Sequence, residues 1–381
     1  MKTQIYLLRI LVLFTVIVFL NSCQEEEDNF QFPSNEFIST GNFNGSYWPT
    51  SAWRMCRPEE VGMNSSKLNE LNEEINLLIK LHIDIHSVVI IKDGYIVAEQ
   101  YYSDYYGMDS LHPIYSCTKS ITSALIGIAI DHNYITDVND KMVSFFPNYA
   151  IENLSIEKQN ISLENMLTMS AGLEWYELEY SYNDERNTFY QWTLSHDRVK
   201  FVLDRPVISA PGEEYSYNTG ISHVLSGIIK NSTNLRTDSF AVENLFTQLG
   251  INHYYWRHDA QNVTYGGASL RLTPRDMAKF GYLYLNNGNW DGSQIVPESW
   301  VEISQQKHIQ RKYTPNYYYG YHWWVNEDNY YAAVGFGGQW IIIVPQHNLV
   351  VVFTNRFIEG NSFQWQTPER LLNTYILPSV Q

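Results

Sequence analysis

A serine and a lysine three positions apart are the side chains in this sequence best suited to chemistry. The tetrad Ser116-Cys117-Thr118-Lys119 places a hydroxyl and an amine on the same face of the chain if the segment is helical. A neutral lysine amine, or one that works through a partner group, can take the hydroxyl proton, and the start of a helix favours the negative charge that develops there. The spacing therefore predicts a nucleophilic serine that attacks a carbonyl.

The same spacing occurs twice more, in tetrads that start at Ser155 and at Ser304. Both lie in polar segments, and we expect them on solvated faces of helices. Ser116 differs because it lies near the start of a long apolar stretch, which predicts a buried helix from Ile114 to Ile130. Since a nucleophile needs a rigid and partly shielded position to be activated, Ser116 is the preferred candidate.

The elements around these residues follow from hydrophobic periodicity. Ser87 to Ile91 and Tyr95 to Gln100 flank an Asp-Gly turn and predict a hairpin, whereas residues 135–300 are mainly helical in pattern. The segments expected late in the chain are a helix over Leu270–Asn287, strands over Tyr318–Val325, Trp340–Pro345 and Leu349–Thr354, and a closing helix over Pro368–Ile376. An α/β (α+β) fold is therefore expected, in which both chain ends build one lobe and the middle forms an inserted helical lobe.

Several motifs occur in the order found in a known family. They are Tyr115 to Ser120, Ile161 to Leu173, Pro211 to Gly220, Gly267 to Asn287 and Gly335 to Gln339. Together they resemble the class C β-lactamase-like family of serine hydrolases, related to penicillin-binding proteins, which includes esterases, D-amino-acid peptidases and nylon-oligomer hydrolases. The resemblance covers residues 53–378. It implies a two-lobed β-lactamase-like fold with a mainly antiparallel sheet, and acyl transfer to water through an acyl-enzyme, with no metal or cofactor.

The second motif of that family is Tyr-x-Asn. Aligning the segments on both sides places Tyr217 on the tyrosine, and the resemblance then implies a general base or a proton relay with Lys119. A second alignment puts Ser216-Tyr217-Asn218 on the Ser-x-Asn motif of related enzymes. Because a phenol with a pKa near 10 is a weak base at neutral pH, either nearby ammonium charge favours the phenolate or the amine is the base.

The third motif departs from the family, which has Lys or His, any residue and then Gly. Here the sequence is Ala333-Val334-Gly335, and the missing cation argues against efficient recognition of the carboxylate of a β-lactam or a D-Ala-D-Ala substrate. Thr219 stands where the family has Asn. The resemblance still implies an oxyanion hole made by the backbone amides of Ser116 and Phe336. The expected oxyanion and substrate-binding residues are Ser116, Phe336, Gly335, Thr219, Gly337 and Gly338.

These motifs predict a hydrolase that cleaves small esters or amides, with a small molecule or a peptide as substrate. A true β-lactamase or a D-amino-acid peptidase is the enzymatic alternative. The other alternative is a non-catalytic surface lipoprotein that binds peptidoglycan fragments, a hypothesis that the departures at Thr219 and Ala333 favour. Aromatic walls of the cleft are expected from Trp175, Tyr176, Trp192, Tyr265, Trp323 and Trp340, although core packing accounts for each equally well.

The first residues predict export. A short apolar run from Ile10 to Leu20 precedes Leu20-Asn21-Ser22-Cys23, which resembles the lipobox of bacterial lipoproteins; a plain membrane-anchor helix is the alternative. The expected organisation is a lipoprotein signal peptide over 1–23 with lipidation at Cys23, a flexible acidic and polar tether over 24–48, and the hydrolase domain over 49–381. The expected location is the cell envelope of a Gram-negative bacterium, in the outer membrane, facing the periplasm or the cell surface.

Charge and composition exclude other classes. The formal net charge of −16 leaves no basic field to attract nucleic acid or anionic lipid. The lipid anchor is therefore the expected membrane contact. A monomer is expected. His82 and His86 could suit a metal on a helix, but two ordinary histidines at a helix end are favoured. With Cys23 lipidated, Cys56 and Cys117 remain, and we expect two free thiols.

Overall fold

The computed structural model of the protein describes residues 36–311, 316–328, 330–357 and 364–381. The helices are α1 (Ser65–Lys80), α2 (Cys117–Asp131), α3 (Ile156–Asn160), α4 (Leu163–Leu167), α5 (Thr188–Leu194), α6 (Arg198–Leu203), α7 (Thr219–Thr233), α8 (Thr237–Ala241), α9 (Pro274–Leu285), α10 (Glu298–Ser304) and α11 (Thr367–Leu371). The strands are β1 (Ile85–Lys92), β2 (Tyr95–Tyr101), β3 (His112–Pro113), β4 (Arg271–Leu272), β5 (Asn289–Trp290), β6 (Ser293–Gln294), β7 (Ile309–Gln310), β8 (Tyr317–Tyr319), β9 (Trp324–Asn326), β10 (Tyr331–Gly335), β11 (Gln339–Val344) and β12 (Leu349–Asn355).

One antiparallel sheet organises the molecule. Within the described ranges it has eight strands, in the order β2-β1-β12-β11-β10-β9-β8-β7. β1 pairs with β12, where Val89 lies opposite Val352, so strands from the two ends of the chain lie side by side. The predicted sheet built from both chain ends, with a helical region inserted between them, is confirmed.

Alternate residues of the central strands face two different cores. Ile341 and Ile343 belong to the core shared with α2 and α9, whereas Ile342 and Val344 belong to the core shared with α1 and α11. Because successive side chains of a strand point to opposite faces, a sheet covered on both sides needs apolar residues at nearly every position. This explains the continuous apolar runs in β1, β11 and β12.

Several predicted elements have different bounds in the structure; the buried helix expected from Ile114 begins at Cys117. The strand expected over Tyr318–Val325 is split into β8 and β9, because the chain reverses at Gly320, where a Cβ would lie 2.0 Å from the Ser304 carbonyl oxygen. The helix expected from Leu270 begins at Pro274. Leu272 instead pairs with His112 across β3 and β4, and the Thr273 hydroxyl caps the helix.

The folded domain extends further toward the N-terminus than the expected boundary at residue 49. Residues 36–48, assigned from the sequence to the tether, lie against the sheet: Phe37 is buried and the Ser39 amide donates to the Val97 carbonyl. Ile38 forms a bridge with Ala98. The cause is the free edge of β2, whose backbone groups need partners. The signal peptide, Cys23 and residues 24–35 lie outside the described residues.

The two histidines considered as a pair on a helix, His82 and His86, do not share one, because α1 ends at Lys80, before both of them. His86 lies in β1 and not at a helix end, and its Nδ1 is 2.8 Å from Nε2 of His112. In the described part of the chain, no group of three His, Cys, Asp or Glu side chains is placed to hold a metal ion. Cys56 and Cys117 are buried free thiols, as expected. No described helix has the length and apolar character needed to cross a membrane.

Candidate active site

Ser116 stands immediately before α2, at a position that the backbone holds under strain. Tyr115 has a φ of 46°, a left-handed conformation that is costly for a residue with a large side chain. The Thr118 hydroxyl donates to the Tyr115 carbonyl at 2.6 Å, and the Ile114 amide donates to the Leu270 carbonyl. These bonds fix the turn that presents the half-buried Ser116 hydroxyl to a cleft.

Lys119 lies one helical turn further on and points back to Ser116. Its Nζ is 2.9 Å from Ser116 Oγ, 3.0 Å from Thr219 Oγ1 and 2.8 Å from the Gly267 carbonyl oxygen. A Cβ on Gly267 would lie 2.8 Å from the Thr219 carbonyl oxygen, so a glycine permits this close approach. Burial lowers the pKa of Lys119 to about 8, against an opposing contribution from the negative charge of Glu177.

Thr219 was expected to bind substrate in the cleft. It lies behind Lys119 instead and does not line the cleft. Its hydroxyl donates to Glu177 at 2.6 Å, and its backbone amide donates to the same carboxylate at 2.8 Å. The hydroxyl proton is therefore committed to Glu177, which leaves the oxygen as an acceptor for Lys119. The carbonyl of Gly267 is also an acceptor only. A neutral lysine amine that donates its two protons to these oxygens aims its lone pair at the Ser116 hydroxyl.

Glu177 was missed by the sequence analysis. Its side chain is 1% exposed, and its carboxylate also accepts hydrogen bonds from the Trp175 indole at 2.8 Å and from the Tyr182 phenol at 3.1 Å. Glu174 and Glu179 stand close by in the chain, and nothing in the sequence distinguishes Glu177 from them. Only its placement beside Thr219 marks it as part of the site.

Tyr217 lies over the lysine. Lys119 Nζ is 4.8 Å from the centroid of its ring, and the side chain lines the same cleft as Ser116. Burial, followed by the negative charge of Glu177, holds the pKa of Tyr217 well above 10. In the other alignment Ser216 would face the cleft, but it does not line it, and the Asn218 side chain accepts the amide of Ile221 as the cap of α7.

The third motif brings β10 against the start of α2. A Cβ on Gly335 would lie 2.3 Å from the Ile114 carbonyl oxygen, so this contact requires glycine. Phe336 and Gly337 line the cleft as expected. Gly338 does not line it: it lies in the turn to β11, where its carbonyl accepts the side-chain amide of Asn355.

The cleft has a volume of about 330 Å³. Its lining residues are Ser116, Leu178, Tyr182, Tyr217, Arg311, Trp324, Val334, Gly335, Phe336, Gly337, Phe357, Gln364 and Trp365. The six aromatic residues proposed from the sequence as cleft walls do not line it, and five of them are buried, since they pack in the core. Aromatic walls are present, but other residues supply them.

Arg311, next to the end of β7, is a second residue that the sequence analysis missed. Its guanidinium carbon lies 4.1 Å from the centroid of the Trp324 ring. It is the cation that lines this cleft among the described residues. No motif of the chain points to it, because it comes from an irregular segment remote in sequence from the nucleophile.

The two other Ser-x-x-Lys tetrads are built differently. Lys158 is fully buried, contrary to expectation, and its Nζ donates to the carbonyls of Glu152 and Leu203 at 2.6 and 2.8 Å. Ser304 is also buried, and its hydroxyl donates to the Trp300 carbonyl. Among the described residues, neither Ser155 nor Ser304 is hydrogen-bonded to the lysine amine of its own tetrad. Ser116 and Lys119 are the tetrad pair joined by a side-chain hydrogen bond.

Comparison with known proteins agrees with this architecture. Residues 81–371 match the Beta-lactamase family. A 6-aminohexanoate-dimer hydrolase of Paenarthrobacter ureafaciens is 22% identical over 299 residues, which cover 73% of this chain and 74% of that protein.

Two solved structures share the fold. The putative 6-aminohexanoate-dimer hydrolase from Bacillus anthracis superposes with a TM-score of 0.68 at 23% identity, over 80% of this chain and 82% of that one. EstCE1, a hydrolase with promiscuous acyltransferase activity, has a TM-score of 0.69 at 14% identity, over 82% of this chain and 98% of that one. With a family match that spans most of its length, the chain belongs to the β-lactamase family of serine hydrolases.

Proposed function

We propose that this protein hydrolyses small ester or amide bonds through an acyl-enzyme on Ser116, with Lys119 as the general base. The main support for this proposal is the hydrogen-bond arrangement of Lys119. Its Nζ lies 2.9 Å from Ser116 Oγ and also contacts two acceptors, the Thr219 hydroxyl oxygen and the Gly267 carbonyl oxygen. A pKa of about 8 leaves a usable fraction of neutral amine near neutral pH.

Acylation then proceeds in balanced steps. Lys119 takes the proton of Ser116 Oγ as this oxygen bonds to the substrate carbonyl carbon, and the carbonyl oxygen becomes an oxyanion. The backbone amides of Ser116 and Phe336 stabilise that charge; within the described residues neither donates to another backbone group. When the tetrahedral intermediate collapses, the proton held by Lys119 passes to the leaving group.

Tyr217 serves as the relay for that proton. Its raised pKa keeps the phenol protonated, so it donates its own proton to the leaving oxygen or nitrogen while it receives one from the Lys119 ammonium. Water enters for deacylation by the reverse route: Lys119 removes a water proton, hydroxide adds to the ester carbonyl, and Ser116 leaves with a proton.

The N-terminal residues carry a separate part of this proposal. Cys23 is lipidated after removal of residues 1–22, and the protein acts as a monomer held in the cell envelope by that lipid. The apolar run from Ile10 to Leu20 and the Leu-Asn-Ser-Cys sequence support it. The full chain is expected to incorporate labelled palmitate, and Cys23→Ala should abolish this incorporation. Light scattering of the soluble form tests whether the protein is a monomer.

Intact-mass analysis after treatment with a fluorophosphonate tests the nucleophile. Wild type without residues 1–23 is expected to gain one label and to turn over 4-nitrophenyl butyrate. Ser116→Ala should do neither, whereas Ser155→Ala, which changes the rival tetrad, should behave as wild type.

A chromogenic cephalosporin in the same assay tests the β-lactamase alternative. The proposal is supported if the enzyme turns over the ester quickly but releases the acyl group derived from the β-lactam slowly. Labelling of wild type without turnover of any ester would contradict it, and would favour a protein that binds its ligand covalently.

A further inference from the structure

The cleft carries an unpaired positive charge opposite apolar walls. Among the described residues, Nε and Nη1 of Arg311 have no hydrogen-bond partner, and both atoms are enclosed by protein. No Asp or Glu oxygen of the described residues comes within 4.0 Å of this guanidinium. The group lies against the Trp324 ring at 4.1 Å and near the Tyr215 ring at 5.5 Å, so aromatic faces hold it in place.

A guanidinium with two enclosed nitrogens and no anion beside it is costly. Arginine does not lose its proton in proteins, and each buried N–H without an acceptor forfeits a hydrogen bond that water would have made. This unfavourable arrangement occurs at a residue that lines the same cleft as Ser116. An anionic ligand at the part of the guanidinium that lines the cleft would offset this cost by neutralising the charge.

The shape of the guanidinium selects the anion. Its planar N–H fork matches a carboxylate through two parallel hydrogen bonds. The cleft between Arg311 and Ser116 is lined mainly by apolar side chains, among them Leu178, Val334 and Phe357. These walls fit an aliphatic or aromatic spacer, and they offer few partners to a second charge.

We infer that Arg311 is a carboxylate-binding residue, and that the substrates are esters or amides with a carboxylate at one end and an apolar spacer before the scissile bond. This deepens the proposed function and rests on it. The family's third-motif cation is absent at Ala333, but a cation from the β7 side of the cleft supplies the charge. This inference differs from the expectation drawn from the sequence, in which the missing third-motif cation argues against efficient recognition of a substrate carboxylate.

The test compares carboxylates with their neutral carboxamides. One pair places the group on the acyl side (4-nitrophenyl hydrogen glutarate and 4-nitrophenyl 4-carbamoylbutyrate), and the other places it on the leaving group (4-acetoxyphenylacetic acid and 4-acetoxyphenylacetamide). Wild type is expected to prefer the carboxylate of at least one pair by about 10- to 100-fold in kcat/KM, as for a charge-assisted bond.

Arg311→Met keeps an aliphatic side chain beside Trp324 and removes the charge. It should abolish the preference, because the carboxylate rates fall further than the carboxamide rates, and Arg311→Lys should retain part of it. Arg356→Met is the matched control. It makes the same change of net charge at an exposed arginine that pairs with Asp84 and lies outside this cleft.

Equal rates for both members of each pair in wild type would overturn the inference, as would an Arg311→Met variant that slows carboxylate and carboxamide equally. If wild type cleaves none of the four compounds, the proposed function fails. Calorimetry of 4-nitrophenyl hydrogen glutarate with Ser116→Ala, with and without Arg311→Met, then still decides the anion site: binding that the second change removes supports it, and equal or absent binding refutes it.

Discussion

Two Ser-x-x-Lys tetrads of this chain share spacing, helical setting and a buried lysine, yet they are put to different uses. Burial lowers the pKa of both Lys119 and Lys158 to about 8. The difference lies in the serine. The Ser155 hydroxyl caps its helix by accepting a hydrogen bond from the backbone amide of Lys158. Ser116 makes no capping bond, and its hydroxyl is hydrogen-bonded to the side-chain amine of Lys119. A depressed lysine pKa is therefore no sign of catalysis unless the amine also faces a free hydroxyl.

The largest expected effect separates the two lysines. Lys119→Met should lower kcat/KM for a small ester by about 10³-fold, since it removes the general base of the proposed mechanism. Lys158→Met should leave kcat/KM within about twofold. It should instead lower the free energy of unfolding by about 1–3 kcal/mol, because the carbonyls of Glu152 and Leu203 lose their donor. Steady-state kinetics and urea unfolding of both variants measure these effects. A lower kcat/KM in Lys158→Met than in Lys119→Met would contradict the different roles assigned to the two lysines.

Tyr217→Phe is next, with an expected loss of about 10²-fold in kcat as the proton relay is removed. The matched control is Ser216→Ala, which deletes the hydroxyl that the rival alignment would use. If the control loses more activity than Tyr217→Phe, the second motif has been placed on the wrong residue.

The pH dependence tests the environment of Lys119. Because the neutral amine is the active form in the proposed mechanism, kcat/KM is expected to rise with pH through about 8. The charge of Glu177 raises the pKa of this lysine, so Glu177→Gln should move the midpoint of the rise to lower pH. Glu179→Gln removes an equal charge from an exposed neighbour and should leave the midpoint in place. A midpoint that is unchanged in Glu177→Gln would show that another group titrates.

The smallest effect concerns the two serines as parts of the fold. Ser155→Ala should cost about 1 kcal/mol of stability through the lost helix cap, without any change in kcat/KM. Ser116→Ala should unfold at nearly the same urea concentration as wild type, because no cap is lost. Equal destabilisation of both variants would remove this distinction.

The sequence was sufficient for features that depend on local pattern. Two β-rich runs on either side of an Asp-Gly turn predicted β1 and β2, and a continuous apolar stretch predicted α2 with Ser116 near its start. It was insufficient where residues meet across the fold. Glu177 and Arg311 lie in irregular segments without periodicity, and their importance comes from partners far along the chain. The aromatic residues failed as predictors because packing and cleft formation use the same side chains.

The pairing of β1 with β12 also has a consequence for the biogenesis of the chain. Val89 meets Val352, so the central part of the sheet forms only after nearly the whole polypeptide has been made. Until Leu349–Asn355 has emerged from the ribosome, β1 exposes an apolar edge without its neighbour, and a product truncated before β12 retains that edge permanently. Incomplete chains of this protein are therefore expected to aggregate or to be degraded, so that only full-length molecules accumulate with an assembled nucleophile site.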